Sequence, residues 1–172
     1  MLEQSCIAFF TATILEWKHL LRPDKYKQII LDSLAFLVEN KRIQLYGFVI
    51  MPNHIHLLWK MQEPFLRENV QRDFLKFTAQ QIKFDLQKHH PQVLEKFKVA
   101  GKDRVYQIWE RNALSVYCYG GAMINQKLTY IHNNPVVEKW KLADLPEVYP
   151  FSSANFYLKN EDNFGFLTHY LD

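Results

Sequence analysis

Residues 42–60, RIQLYGFVIMPNHIHLLWK, combine two apolar runs with a Pro-Asn turn between them. Apolar runs on either side of such a turn are typical of a β-hairpin. The second run begins with two histidines, His54 and His56, one residue apart. Because residues i and i+2 of a strand point to the same face, we expect the two imidazoles to lie side by side. The apolar residues Ile55 and Leu57 are then predicted to face the opposite way, into a core.

The spacing of these two histidines has two interpretations. They are either ordinary hydrogen-bonded side chains on a half-exposed strand or a pair of ring nitrogens that converge on a ligand. Histidine serves both purposes, and a His-x-His motif is too short to decide between them. The remainder of the chain has to separate the two.

The segments around the hairpin predict a regular order of elements. Residues 6–17 are rich in β-branched and aromatic side chains, which indicates a first strand, and residues 23–40 have helical apolar spacing. Residues 66–90 predict a long amphipathic helix that ends before a proline. A short apolar run at 106–109 completes the pattern as a fourth strand. Residues 120–134 predict a further strong helix, closed by the proline that follows.

This order predicts an α+β fold with a ferredoxin-like β-α-β-β-α-β layout, an antiparallel sheet with helices on one face. The histidine hairpin is expected to supply central strands. A length of 172 residues predicts one domain, residues 1–172, in which about 140–172 form a C-terminal tail after the last strong helix.

Composition narrows the class of protein without naming a function. The chain is 48% hydrophobic and 23% charged, and its two cysteines form no metal-binding or redox motif. No apolar run reaches the roughly 18 residues of a membrane helix, and no signal pattern is visible, which predicts a cytoplasmic protein with no membrane partner. A net charge of +3 and 15% aromatic residues permit a nucleic-acid partner, although an aromatic core accounts for the same composition.

A second group of polar residues lies in KLTYIHNNPV, residues 127–136. Tyr130 and Asn134 are four residues apart, so their side chains share one face of the predicted helix, and Lys127 lies on the same side. Taken separately, the two residues are also explained as a half-buried tyrosine and an asparagine that ends a helix before proline. The neighbouring Asn133 is expected to make a local capping bond.

Together the two segments resemble the HUH single-tyrosine transposases of the IS200/IS605 type, and more narrowly the REP-associated tyrosine transposase branch. YGFVIMPNHIHLLW, residues 46–59, resembles the histidine hairpin of that family. YIHNNPV, residues 130–136, and the later YPFSSANFY, residues 149–157, resemble its tyrosine segment and its closing Ser-Ser motif. The resemblance covers residues 46–157 and is loose only across residues 101–121.

The resemblance implies a metal site and a nucleophile. A divalent ion, Mg²⁺ or Mn²⁺, would be held by His54, His56 and Asn134, and imidazole ligands favour Mn²⁺ by ligand preference. Tyr130, on the catalytic-tyrosine helix, would attack the scissile phosphate, and Lys127 is a candidate to assist. A free phenol has a pKa of about 10, so a nearby cation has to favour its ionised form.

The resemblance also implies the substrate and the reaction. The enzyme would nick single-stranded DNA at a hairpin through a covalent 5′-phosphotyrosine and then transfer the strand. Whether it acts as a monomer or as a homodimer is open. Ser152 and Ser153 either contact DNA or cap a helix, and capping is the preferred interpretation. The candidates for binding hairpin phosphates are Lys83, Lys88, Lys96, Lys98, Lys102 and Arg104.

Two other functions remain open from the sequence. One is a DNA-hairpin-binding regulator of the same family that does not cut. The other is an RNA-binding ferredoxin-like module, which would expose aromatic residues on its strands. No strand of that aromatic type is visible, and such a module would leave His54 and His56 unexplained.

Overall fold

A four-stranded antiparallel sheet is the framework of the protein. The computed structural model describes residues 6–172, so the first five residues of the predicted domain lie outside it. The strand order is β2-β3-β1-β4, and each neighbouring pair is antiparallel. The helices and strands in chain order are β1 (Ala8–Thr13), α1 (Asp24–Glu39), β2 (Ile43–Ile50), β3 (His54–Met61), α2 (Arg67–His89), α3 (Pro91–Glu95), β4 (Leu114–Tyr117), α4 (Gly121–Asn133) and α5 (Ala154–Leu158).

The predicted fold class is confirmed. The first four strands and the two long helices follow the β-α-β-β-α-β order, and α1 and α2 cover one face of the sheet. Ile30 and Leu34 of α1 and Phe74 of α2 are buried there with Trp59 of β3. Burying side chains of this size contributes about 1.5–3 kcal/mol each, so this main core holds the two helices on the sheet.

Helix α2 is the longest element, with 23 residues, and it is amphipathic. Its buried side chains recur at helical spacing, at Val70, Phe74, Thr78, Ile82 and Leu86. The exposed positions are mostly polar or charged, apart from Phe77 and Phe84. Among the helices of residues 6–172, none combines the length and the apolarity that crossing a membrane requires.

Two details of the sheet differ from the sequence prediction. The fourth strand is Leu114–Tyr117, and residues 106–109 are not a strand. Trp109 forms only an isolated bridge to Ile14, and its side chain enters the main core and donates from Nε1 to Thr78 Oγ1 at 3.1 Å. The chain then turns at Asn112, in a left-handed conformation with φ of 60°, before it reaches β4.

The second difference is that only one arm of the hairpin is central. β3 lies between β2 and β1, whereas β2 is an edge strand. The C-terminal segment runs along that edge, where Ile50 N donates to Phe151 O at 2.9 Å and Thr168 N donates to Leu45 O at 2.9 Å. An uncovered edge strand is a site of unwanted strand pairing, so the C-terminal segment protects β2.

Helix α4 covers the second face of the sheet. Ile124, Leu128 and Ile131 of α4 are buried there in a separate cluster with sheet residues such as Phe9. The helix lies close to β2 because Gly47 has no side chain: a Cβ atom at Gly47 would stand 2.5 Å from Leu128 Cδ2. This glycine therefore sets how deeply α4 sits on the sheet.

Candidate metal and nucleophile site

The two histidines of β3 point to the face of the sheet that α4 covers. His54 and His56 are buried, and their ring centroids are 4.7 Å apart. Ile55, Leu57 and Trp59 alternate with them and lie in the main core, as the hairpin pattern predicts. Strand alternation thus removes the two imidazoles from the core and presents them to α4.

Helix α4 brings the second group of polar residues to the same place. Leu128 and Ile131 anchor α4 on the sheet. With the helix held in this orientation, Tyr130 and Asn134 lie beside the two histidines. The ring of Tyr130 packs edge-on against His56, with centroids 5.3 Å apart, and its side chain is 52% exposed. Asn134 Oδ1 lies 2.9 Å from Nε2 of His54. Residues that are separated by about 80 positions in sequence therefore meet in one site.

Asn53 selects the tautomer of the neutral His54 ring. Its Nδ2 donates to the carbonyl of Trp17 at 3.2 Å, so its Oδ1 faces the ring and lies 2.7 Å from His54 Nδ1. An amide oxygen only accepts, and Nδ1–H is therefore the donor of this bond. The neutral ring is left with a lone pair at Nε2, directed at Asn134 Oδ1, which is also a lone-pair atom. A divalent cation held between Nε2 and Oδ1 would satisfy both atoms; without one, the Asn134 amide turned over would donate from Nδ2 to Nε2.

His56 is held in a similar way. Its Nδ1 lies 2.7 Å from the hydroxyl of Thr11 on β1, and the ring of Phe9 stacks on it with centroids 5.2 Å apart. Its Nε2 is buried and has no hydrogen-bond partner among the described residues. A buried polar atom without a partner carries a desolvation cost, so it is a natural ligand position.

Burial also keeps both imidazoles neutral. Burial lowers the pKa of His54. The contact with Asn134 opposes this shift, and the positive charge of Lys139 adds to it. Burial lowers the pKa of His56 to about 3, with further contributions from His54 and Lys127. Metal ions bind the neutral imidazole, so the low pKa values remove the competition with protons at neutral pH.

The donor set fits a divalent ion. Asn134 Oδ1 and His54 Nε2 are 2.9 Å apart, an ordinary hydrogen-bond separation that also lets one small ion contact both atoms. Within residues 6–172 no three His, Cys, Asp or Glu side chains come together, and this site too has only two such residues, so its third ligand would be the Asn134 amide. Two imidazoles and an amide oxygen are therefore the available ligands, and imidazole favours Mn²⁺ over Mg²⁺.

The two neighbouring asparagines have different surroundings. Asn134 is buried against His54, whereas Asn133 is exposed. The capping bond expected of the Asn133 side chain is not found in the part of the chain that the structure describes. Its backbone carbonyl instead accepts from Val136 N at 3.0 Å and Val137 N at 3.2 Å. The geometry thus favours Asn134 as the residue that faces the histidines.

Lys127 reaches the rim of the site without contacting the histidines. Its Nζ lies 4.8 Å from the centre of the Phe9 ring, and that ring in turn stacks on His56. The lysine therefore brings a positive charge to the side of the site where Tyr130 is exposed. This position is compatible with the assisting role predicted for it.

The residues predicted to bind DNA are dispersed. Lys83 and Arg104 line the same groove, beside α2. The other four candidates do not line that groove; one is exposed on α2 and three on the segment after α3: Lys88, Lys96, Lys98 and Lys102.

The Ser-Ser motif is buried. Ser152 and Ser153 are 3% and 1% exposed, which removes them from any surface that DNA reaches. Ser153 precedes α5 but forms no side-chain cap; its Oγ accepts from Phe48 N at 3.0 Å and contacts His132 Nε2 at 2.8 Å. Ser152 Oγ accepts from Ala154 N at 3.2 Å, a capping-type bond from one position earlier. The motif thus fastens the C-terminal segment to β2 and α4.

Sequence reasoning missed the residues that support the histidines. Asn53 adjoins His54 in the turn, so its position in the motif is a signal that could have found it. Thr11 has no such signal, because only the pairing of β1 with β3 places it opposite His56. Phe9 likewise lies two residues before Thr11 on the same strand face.

The fold is similar to that of a solved tyrosine transposase structure. A structure of a REP-associated tyrosine transposase bound to a REP hairpin aligns with a TM-score of 0.63 and 18% identity, covering 88% of this chain and 78% of that one. A provisionally assigned transposase from Deinococcus radiodurans R1 aligns with a TM-score of 0.46 and 13% identity, over 73% of this chain and 88% of that one, too weakly for any conclusion. No family model and no curated protein matches the sequence.

Proposed function

We propose that the protein is a metal-dependent enzyme of the HUH single-tyrosine transposase type that nicks and rejoins single-stranded DNA at hairpins. The observation that carries the proposal is the convergence of His54, His56, Asn134 and Tyr130. These four residues come from two distant elements and are buried or rim-exposed as their roles require. The fold shared with a REP-associated tyrosine transposase, a protein solved with a REP hairpin, supports the same class.

Tyr130 is the nucleophile in this proposal. Its hydroxyl attacks the scissile phosphorus in line with the 3′-oxygen. The phenolic proton passes to solvent, the P–O3′ bond breaks, and the departing 3′-oxygen takes a proton from solvent. The products are a tyrosine ester of the 5′-phosphate and a 3′-hydroxyl. A 3′-hydroxyl from another strand then attacks the same phosphorus and displaces Tyr130, so the strands rejoin without an external energy source.

His54, His56 and Asn134 would hold the divalent ion. When bound, the ion supplies a Lewis acid that neutralises charge on the phosphate and favours the ionised tyrosine. The protein keeps the two imidazoles neutral and orients their Nε2 atoms toward the ion. Asn53 and Thr11 do this through hydrogen bonds to Nδ1 of His54 and of His56. Lys127 adds positive charge at the rim, where the phosphate of the DNA has to enter.

The RNA-binding alternative is disfavoured by the covered sheet. A ferredoxin-like RNA-binding module stacks bases on exposed aromatic residues of its strands. Here the comparable face carries Phe9 and Tyr46, which are 5% and 6% exposed under α4. A non-cutting hairpin regulator keeps DNA binding but needs no accessible tyrosine above paired histidines, so activity decides between it and the enzyme.

A covalent-adduct assay tests the proposal. The protein is incubated with labelled single-stranded DNA hairpins that carry randomised flanks, with Mn²⁺ or with chelator, and the products are separated on a denaturing gel. We expect a shifted protein–DNA band only with metal. Tyr130→Phe should abolish the band, whereas Tyr119→Phe, which alters another exposed tyrosine, should retain it. An adduct that persists in Tyr130→Phe would assign the chemistry to a different residue.

A mixing experiment tests whether the active form is a homodimer with shared sites. Tyr130→Phe and His54→Ala are each expected to be inactive alone, since one lacks the nucleophile and the other a ligand. If the tyrosine of one subunit acts at the histidines of another, mixing the two variants restores adduct formation. An inactive mixture indicates that Tyr130 acts within its own chain.

A further inference from the structure

A groove lies between α2 and residues 103–113, apart from the tyrosine and the histidines. Its volume is about 730 Å³. The side chains of Leu75, Ala79, Ile108 and Trp109 form part of its lining. The remaining lining is mostly charged, so the groove has a polar character unlike the apolar clusters on either face of the sheet.

Basic side chains line both sides of this groove. Arg72, Lys76 and Lys83 follow one another along α2 at intervals of four and seven residues, which puts them on one face of the helix. Arg104 and Arg111 come from the opposite wall. Five positive charges along two facing walls attract a polyanion and have no role in holding the core.

The acidic residues nearby neutralise only part of this charge. Asp103 pairs with both Arg104, at 2.9 Å, and Arg111, at 3.4 Å. Arg72 pairs with Asp73 at 2.9 Å. Lys76 and Lys83 form no ion pair with any residue in the described chain, 6–172, so their charges remain available to a ligand.

The groove adjoins the histidine strand through a single residue of β1. Thr13 O accepts from Glu110 N, in the groove wall, at 2.7 Å. On its other side Thr13 pairs with His54. The groove wall is thus two strand spacings, about 10 Å, from the start of the histidine strand. The groove lies on the α2 side of the sheet and the histidines face the α4 side, so a nucleic-acid strand that leaves the site has to pass around the end of the sheet near Thr13 to reach the groove.

We propose that this groove binds the phosphate backbone of the DNA that Tyr130 attacks. The assignment of DNA as the ligand rests on the proposed function, whereas the groove and its charges do not. Contacts of Lys and Arg with phosphates fix the register and orientation of DNA without reading its sequence. The groove therefore positions the DNA that flanks the cleavage point, and sequence recognition lies elsewhere.

The test compares two double variants with equal loss of charge. Lys76→Gln/Lys83→Gln removes the two unpaired charges of the groove. Lys41→Gln/Lys159→Gln removes two exposed lysine charges that lie outside the groove and are not among the DNA-binding candidates. The affinity for a fluorescent DNA hairpin with a single-stranded flank is measured by anisotropy at several salt concentrations, in chelator so that no cleavage occurs.

In the groove variant the negative slope of log affinity against log salt should become shallower by about 1.4–1.8. This corresponds to about 0.7–0.9 for each phosphate that a lysine no longer neutralises. The other pair should leave the slope unchanged. An unchanged slope in a folded groove variant, or an equal change of slope in the Lys41/Lys159 pair, would overturn the proposal. The proposal would also be overturned if RNA of the same sequence bound more tightly than the DNA and the groove substitutions abolished that RNA binding.

The adduct assay keeps this proposal separate from the proposed reaction. If no adduct forms with any DNA but the groove variant still reduces the slope, the DNA groove stands and the reaction fails. If Tyr130 forms the adduct and the slope is unaffected, the reaction stands and the groove assignment fails.

Discussion

Asn134 Oδ1 and His54 Nε2, 2.9 Å apart, connect the end of α4 to the start of β3. The asparagine follows the last residue of α4 and precedes Pro135, so the helix ends where its amide reaches the sheet. Tyr130 lies one helical turn earlier on the same face. The contact therefore fixes the height of the tyrosine above the histidines as well as a ligand position.

Asn134→Ala should weaken metal-dependent cleavage by at least the 10- to 100-fold typical of disturbed metal-site residues, about 1.4–2.7 kcal/mol. Extra Mn²⁺ should restore part of the activity, because the remaining imidazoles still bind metal. Asn133→Ala is the matched control, and since that side chain is exposed we expect a change in stability within about 0.5 kcal/mol. Cleavage rates against Mn²⁺ concentration give the comparison. Rescue of Asn133→Ala instead of Asn134→Ala would exchange the roles of the two residues.

Thr11→Val should reduce metal affinity without touching a ligand. The hydroxyl of Thr11 holds Nδ1 of His56, and groups in that position commonly change metal affinity 10- to 100-fold. Thr11→Ser keeps the hydroxyl and should bind metal nearly as the native protein does. Titration of the DNA-free protein with Mn²⁺, followed by electron paramagnetic resonance, measures this directly. Equal affinities in the two variants would show that the ring of His56 is oriented by its packing against Phe9 alone.

The sequence predicted the parts of the site that follow from local periodicity. Strand alternation placed His54 and His56 on one face, and helix periodicity joined Tyr130 to Asn134. The meeting of these pairs was implied only by the family resemblance, because nothing local determines which face of the sheet α4 covers. Thr11 was missed for the same reason, since its role depends on the register between β1 and β3.

The fourth strand shows a limit of a different kind. Residues 106–109 have the apolar composition of a strand, but Ile108 and Trp109 contribute it to the main core from an irregular segment. The strand that forms, Leu114–Tyr117, is partly exposed at the sheet edge and has little hydrophobic alternation to reveal it. The apolar composition therefore predicted correctly that Ile108 and Trp109 are buried. It predicted wrongly that this segment pairs as a strand of the sheet.

Ser153→Ala should destabilise the fold more than its small change in size suggests. The variant leaves the amide of Phe48 and the ring of His132 without a buried partner, and each such group costs about 1–3 kcal/mol. Thr129→Ala also deletes a hydroxyl bond, to Asn125 O, but on the exposed side of α4, and should change stability by no more than about 0.5 kcal/mol. Urea denaturation of both variants compares them. Similar midpoints would mean that the Ser153 contacts are replaced by water.

Gly47→Ala tests whether the depth of α4 on the sheet controls the chemistry. The added methyl group would overlap Leu128 Cδ2 and should cost about 1–3 kcal/mol, because α4 or Leu128 has to move. Gly121→Ala, at the start of the same helix, meets no atom within 4 Å and should be neutral or stabilising.

Leu128→Ala alone should cost about 2–5 kcal/mol by leaving a cavity. Combined with Gly47→Ala, it should cost less than the sum of the two by about 0.5–3 kcal/mol, because the new methyl group enters the vacated space. The same displacement should move Tyr130 and Asn134 away from His56 and His54. The cleavage rate of Gly47→Ala should therefore fall under conditions where the protein is fully folded, and the double variant should recover part of it. Strictly additive unfolding free energies together with an unchanged cleavage rate would show that α4 tolerates the methyl group without moving.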